Sequence, residues 1–286
     1  MPFDPQKILN WKFDEIEHTY TEKDTILYAL GLGCGSDPAE PGDLKFVYEE
    51  GLVALPTMAV VLASPGNWLG TKASTVDYTK VLHGEQSLTL HRPLPPSGTL
   101  VGTGRIVDLL DKGKDKGAVL YAERTILDKK TGQTIATLLS AAMLRGDGGF
   151  GGKAGPQPAP HPLPETAPTV KVDIKTHPNS ALIYRLSGDY NPLHADPAIA
   201  AKGGFKTPIL HGLCTYGVAG RAVIKACCNG DPSRLKGLQV RFSSPVFPGE
   251  TIRTEMWPDG QRIAFRARVV ERDVVVLNNG LATIAA

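Results

Sequence analysis

Asp189, Asn191 and His194 fall within six residues of one another, in Gly188-Asp-Tyr-Asn-Pro-Leu-His194. A carboxylate, an amide and an imidazole so close in the chain are the parts of an acid/base site that holds one water. Gly188 and Pro192 break helices, so the segment reads as a loop, which can aim three side chains at one point. Fifteen residues past His194, an apolar run starts at Ile209 and continues to Cys228, too long for a strand and suited to a buried helix. Gly212 lies in its first turn, where N–H groups have no partner inside the helix and the helix dipole is positive. With no Cβ at Gly212, a substrate oxygen can approach that N–H closely, which is the chemistry of an oxyanion-binding donor.

The elements around this pair of motifs follow from pattern. Thr21 and Asp24 cap a short helix over Ile26–Leu32, and Gly31, Gly33 and Gly35 stop it. Their G-x-G-x-G spacing is no dinucleotide fingerprint, because no strand leads into it. Leu52–Ala63 reads as a second buried helix limited by Pro56 and Ser64-Pro65-Gly66. Strands are expected over 81–91, 99–110, 118–127 and 134–144, with turns at 111–117 and 129–132. Residues 146–168 are Gly-rich and then Pro-rich with little apolar mass, a linker that is flexible first and extended later. No Gly-Lys-Ser/Thr closes it, so a phosphate loop is disfavoured. The second part gives a strand at 170–175, a helical stretch at 180–186, a helical turn at 197–202, the long helix, and strands at 235–242, 251–257, 262–272 and 274–284.

The two parts repeat. Tyr28-Ala-Leu-Gly-Leu-Gly33 answers Tyr184-Arg-Leu-Ser-Gly-Asp189, and Pro93-Leu-Pro-Pro-Ser-Gly-Thr-Leu100 answers Pro245-Val-Phe-Pro-Gly-Glu-Thr-Ile252. Ile135-Ala-Thr137 answers Leu281-Ala-Thr283. Helices followed by long antiparallel strands make an α+β class. The acid/base set is not repeated: where Asp189 stands, the first part has Gly33-Cys34-Gly35, and no histidine follows. The boundaries expected are 1–145 for a non-catalytic, substrate-binding half, 146–168 for the linker and 169–286 for a catalytic half.

Tyr184-Arg-Leu-Ser-Gly-Asp-Tyr-Asn-Pro-Leu-His194 followed by Gly204-Phe-Lys-Thr-Pro-Ile-Leu-His-Gly-Leu-Cys214 resembles the MaoC-like, type 2 enoyl-CoA hydratases. The hydratase domain of peroxisomal multifunctional enzyme type 2 is one of these. The resemblance covers nearly the whole chain. It implies a double hot-dog fold, each half a long antiparallel sheet wrapped round a central helix. It implies (R)-specific hydration of trans-2-enoyl-CoA to (3R)-3-hydroxyacyl-CoA, with no cofactor and no metal. By the same resemblance Asp189 and His194 share the water, Asn191 fixes their geometry and the Gly212 N–H takes the thioester oxyanion. His83 and Gly84 match a segment along the substrate, Lys112 a position on the CoA portion, and Phe242 a further contact. Tyr190 is counted with these substrate-binding residues, and His211 is expected to line the pocket or serve structure. Long-chain members loosen the first-half helix, and Gly51, Pro56, Pro65 and Gly66 fit such a break, so medium to long acyl chains are expected. The alternatives of another class are a hot-dog acyl-CoA thioesterase and a non-catalytic acyl-CoA-binding module.

Composition narrows the partners. Lys plus Arg is 31 against 29 Asp plus Glu, a net charge of +2, too even for a nucleic-acid surface. The four cysteines Cys34, Cys214, Cys227 and Cys228 form no C-x-x-C pair or disulfide framework, which fits a reducing compartment. The histidines lack zinc spacing; His194 and His211 would need further ligands to hold a metal. No apolar run is of membrane-spanning length, no signal peptide is read at Met1-Pro-Phe-Asp, and Thr283-Ile-Ala-Ala286 is no peroxisomal Ser-Lys-Leu address. A cytoplasmic enzyme is therefore expected, a homodimer like many of the family, with an acyl-CoA substrate and neither nucleic acid nor membrane as partner.

Overall fold

The computed structural model describes residues 2–286. Ten antiparallel strands make one sheet: β1 (Ile16–Tyr20), β2 (Val81–Leu90), β3 (Gly98–Asp111), β4 (Ala118–Asp128), β5 (Thr134–Leu144), β6 (Val170–Lys175), β7 (Leu235–Phe242), β8 (Thr251–Asp259), β9 (Arg262–Val269) and β10 (Val274–Ile284). Their spatial order is β1-β3-β4-β5-β2-β7-β10-β9-β8-β6. Read from each outer edge, both halves run first strand, third, fourth, fifth, second. The halves meet where β2 pairs with β7, Leu88 facing Leu238 and Glu85 facing Arg241. The Glu85 carboxylate is spent there on the Arg241 guanidinium at 2.9 Å.

The described residues form six helices: α1 (Pro5–Leu9), α2 (Glu22–Gly31), α3 (Leu44–Val47), α4 (Ser180–Tyr184), α5 (Pro197–Lys202) and α6 (Gly212–Cys227). Helix α2 starts on a Thr21–Asp24 capping box, as its sequence signals. Helix α6 occupies the centre. Its Val218, Val223 and Ile224 share one buried cluster with Leu88, Leu238, Ile252, Phe265 and Leu277 of the sheet. Truncating one such aliphatic chain to Ala would cost about 3 kcal/mol. Neighbours press close on the small residues of α6: a Cβ at Gly217 would stand 2.7 Å from Leu32 Cδ2, and one at Gly220 would stand 2.6 Å from Thr57 Cγ2. This is the expected α+β double hot-dog arrangement.

The first half departs from the expected buried helix over Leu52–Ala63. Those residues are buried or nearly so, but only Pro56–Val60 coils, as a short 3₁₀ turn. The chain leaves it through Ala63, whose φ is +46°, and Pro65 keeps Ser64 out of a helix. Backbone groups freed by this early stop need partners inside the protein. Arg124 Nη2 donates to the carbonyls of Val60 (2.7 Å) and Ala59 (3.3 Å), and the Ala63 N–H donates to His18 Nδ1 (2.9 Å).

The loop after α2 is fastened to the other half. Asp43 and Arg221 of α6 form a largely buried ion pair, Arg221 Nη1 donates to the Leu32 carbonyl at 3.1 Å, and the Gly35 N–H donates to Asp43 at 3.3 Å. The segment between β5 and β6 contains no helix or strand, but its expected flexibility gives way to contacts. The Asp111 carboxylate accepts the N–H groups of Gly149 and Gly151 at 2.7 Å, Gly113 at 2.9 Å and Gly152 at 3.3 Å. Those donors hold its pKa down to about 2. Further on, Asn279 Nδ2 donates to the His161 carbonyl and Trp257 Nε1 to the Thr166 carbonyl. The chain thus crosses the sheet as a fixed strap. No described helix is long and apolar enough to cross a membrane.

Candidate active site

Helix α4 carries Tyr184 into the core and ends in a 3₁₀ turn, Arg185–Ser187, which Gly188 closes at φ +119°. That left-handed residue reverses the chain so that Asp189 follows half-buried. Asp189 Oδ1 accepts the Asn191 N–H at 3.2 Å. Asn191 Oδ1 in turn accepts the Leu193 N–H at 3.1 Å, capping the turn Pro192–His194. Asn191 therefore fixes the short piece of chain that presents His194. The His194 ring is buried, and its Nδ1–H donates to the Ile209 carbonyl at 2.8 Å. This bond selects one tautomer and leaves the Nε2 lone pair available to a proton. Burial pulls the His194 pKa below its ordinary 6.5, against the opposing pull of the Ile209 carbonyl and Asp189. A neutral imidazole is what a general base requires.

His211 stands beside them. Its ring stacks on that of His194 with centroids 3.8 Å apart and planes 28° from parallel. Its Nε2–H donates to the main-chain carbonyl of Asp189 at 3.1 Å, and Tyr184 lies 5.0 Å from its ring. Burial first, and His194 second, push its pKa down to about 4. Donor atoms of Asp189, His194 and His211 all lie within 4.8 Å of one another, a spacing that suits one shared water or one shared cation. His211 was expected only to line the pocket or to serve structure. Its position directly before Gly212 was the signal in the chain that could have placed it closer to the chemistry.

His211 is also the N-cap of α6, and its carbonyl receives the N–H groups of Cys214 and Thr215. Among the described residues no main-chain acceptor takes the Gly212 N–H. A Cβ on Gly212 would lie 3.1 Å from the Phe242 ring, so the ring packs onto the bare α-carbon. His83 sits 4.7 Å from the same ring, and next to it Gly84 marks a bulge in β2 where a Cβ would press on Met143. The structure thus joins Asp189, Asn191 and His194 in one loop, and Gly212, Phe242 and His83 in an adjoining group.

Two further residues expected to bind substrate turn their side chains away from this group. Tyr190 is exposed, its ring 5.1 Å from the Arg185 guanidinium. Lys112 stands at the β3–β4 hairpin, half-buried, with Nζ donating to the Ala154 carbonyl of the strap at 2.8 Å. Among the described residues neither side chain hydrogen-bonds to Asp189 or His194.

Such a sheet, with a carboxylate and an imidazole in one loop beside a helix N-terminus, puts the chain in the double hot-dog class. The family described as "MaoC like domain" matches residues 160–280, and the "MFE-2 hydratase 2 N-terminal domain" matches residues 18–146. The chain is 41% identical to 3-hydroxyacyl-thioester dehydratase Y of Mycobacterium tuberculosis over 93% of both chains. It is 39% identical to the peroxisomal enoyl-CoA hydratase 2 of Arabidopsis thaliana, over 96% of this chain and 94% of that one. A crystal structure of a MaoC-like dehydratase from Phytophthora capsici superposes with a TM-score of 0.86 at 40% identity, covering 99% of both chains. The chain belongs to the MaoC-like hydratase 2 family.

Proposed function

We propose that the chain is an (R)-specific 2-enoyl-CoA hydratase, a hydro-lyase that adds water reversibly to trans-2-enoyl-CoA to give (3R)-3-hydroxyacyl-CoA. The observation that carries this reading is the convergence of Asp189 and His194 within 4.8 Å, one loop away from the first N–H of α6. Asp189 and His194 hold one water between the carboxylate and the bare Nε2. The water oxygen adds to C3 of the enoyl thioester while the pair takes one of its protons. The electrons of the C2–C3 double bond move onto the thioester oxygen, where the Gly212 N–H accepts the charge; one such donor is worth about 3–4 kcal/mol. The enolate then collapses and C2 takes the proton from the same pair, on the same face. The reaction balances with water and the thioester alone, so the reading includes neither metal nor redox cofactor.

In this reading residues 169–286 form the catalytic half and residues 1–145 the substrate-binding half. His83, Gly84 and Phe242 flank the thioester, Lys112 serves the CoA portion, and Tyr190 binds substrate from the surface. The short Pro56–Val60 turn supports medium to long acyl chains, because it leaves the first half without a full central helix. Relatives named as enoyl-CoA hydratase 2 support a place in fatty-acid metabolism; we extend the reading to β-oxidation and to a homodimer working in the cytoplasm. The test follows loss of enoyl thioester absorbance across chain lengths, with chiral analysis of the product. The (3R) alcohol from medium and long chains is the expected result. Release of free CoA without a hydroxyacyl product would replace the hydratase reading with the thioesterase one.

A further inference from the structure

His211 does more than line the site, and three of its features are hard to reconcile with filling space. Its ring lies 3.8 Å from the ring of His194. Its Nε2–H reaches back 22 residues to the Asp189 carbonyl at 3.1 Å. Its own Nδ1 is buried without a partner, and the residue is only 1% exposed. An orphaned buried acceptor is unfavourable, and an apolar ring of similar size would avoid it. Packing alone would not select histidine here. A residue that must stack on one neighbour and donate to another from its far edge needs an aromatic ring with a donor on that edge.

We propose that His211 is a positioning residue for hydration, and this rests on the hydratase reading above. Its ring holds the His194 imidazole flat, so that Nε2 of His194 keeps one direction while Nδ1 stays on Ile209. Its Nε2–H bond holds the Asp189 end of the same loop. Its main chain begins α6 and sets the place of Gly212. One residue thereby fixes the distance between the water-holding pair and the oxyanion donor. The proton inventory is unchanged: His211 stays neutral and gives up no proton to the substrate. Displacements of about 1 Å among such groups cost on the order of 100-fold in rate.

The test compares His211→Ala, His211→Phe and His211→Gln in the full chain. Phe keeps a ring for the stack without the donor. Gln places an amide Nε2 as many bonds from Cβ as the imidazole Nε2, keeping the donor without the ring. For His211→Ala, kcat is expected to fall roughly 100-fold while KM stays within about threefold. Phe and Gln are each expected to recover only part of kcat. In ring-nitrogen NMR, wild-type His194 is expected to show a single tautomer protonated at Nδ1, which His211→Ala turns into a mixture. Wild-type kcat in His211→Ala would overturn the proposal. Equal and full rescue by Phe and Gln would also overturn it, since it would reduce the residue to filler. If wild type shows the ordered tautomers and His211→Ala scrambles them, yet wild type hydrates no enoyl thioester, the hydratase reading fails and the positioning role stands.

Discussion

The two halves share a strand order and part ways in the loops that follow α2 and α4. After α4 the second half turns through Gly188 into Asp189 and His194. After α2 the first half turns through Gly33-Cys34-Gly35 and is tied down by the ion pair of Asp43 with Arg221. The second half then builds a helix of 16 residues, whereas the first stops after the five-residue turn Pro56–Val60. The third residue of β6 is Val172, which packs against the apolar core; the third residue of β1 is His18, which holds the Ala63 N–H. A repeated architecture tolerates the loss of a central helix when polar side chains arrive to satisfy the backbone that the loss exposes. In the proposed reading, chemistry stays in the half whose helix begins cleanly at Gly212.

The comparison is broken most severely by disarming the second half. Asp189→Asn and His194→Ala are each expected to lower enoyl-CoA hydration by about 10³-fold with the circular dichroism spectrum unchanged. If either keeps most of its activity, the catalytic half has been misassigned. Gly212→Ala drives a Cβ against Phe242 and is expected to lower kcat by about tenfold. Phe242→Ala in the same chain should relieve part of that loss.

Arg124→Leu probes the first half. It strips the Ala59 and Val60 carbonyls of their partner and is expected to cost about 2 kcal/mol in urea unfolding. The loss in activity should be largest for long acyl chains.

His18 makes the first half sensitive to pH. Burial, the largest cause, lowers its pKa below 6.5, with Arg124 adding to this and Asp24 opposing it. A histidine with a lowered folded-state pKa binds fewer protons folded than unfolded, so its contribution is present above pH 6.5 and lost below it. Thermal stability is therefore expected to fall as pH drops below 6.5, and His18→Gln should blunt part of that fall. His194 and His211 carry the same sign, so the slope will not vanish. The smallest effect belongs to the strap. Asp111→Asn should leave kcat within about twofold. Faster tryptic cleavage after Lys153 is the expected readout.

The long helix was legible because Ile209–Cys228 is apolar for far longer than a strand, and the structure begins it only three residues later, at Gly212. Asp189, Asn191 and His194 were legible as a cluster because short-range spacing in a broken loop leaves little freedom. Leu52–Ala63 was misread because apolar composition reports burial and not conformation; the Arg124 and His18 partners that permit a buried turn come from distant strands. β1 escaped notice because Ile16-Glu-His-Thr-Tyr20 is short, with a polar residue at an inward position. The strap was read as loose because its glycines are, and Asp111 lies 38 residues before the first of the two 2.7 Å donors it gathers from the strap. The stack of His211 on His194 was not legible, because a contact between residues 17 apart in sequence leaves no trace in local pattern.

The seam between β2 and β7 has one more consequence. Cut apart, either half would end in a bare row of amides and carbonyls that invites another strand to join it. A lone second half would have to borrow that strand from a sibling molecule, and its acid/base loop would come and go with concentration. Carrying both edges on one polypeptide turns an encounter into a fold, and dilution leaves it intact.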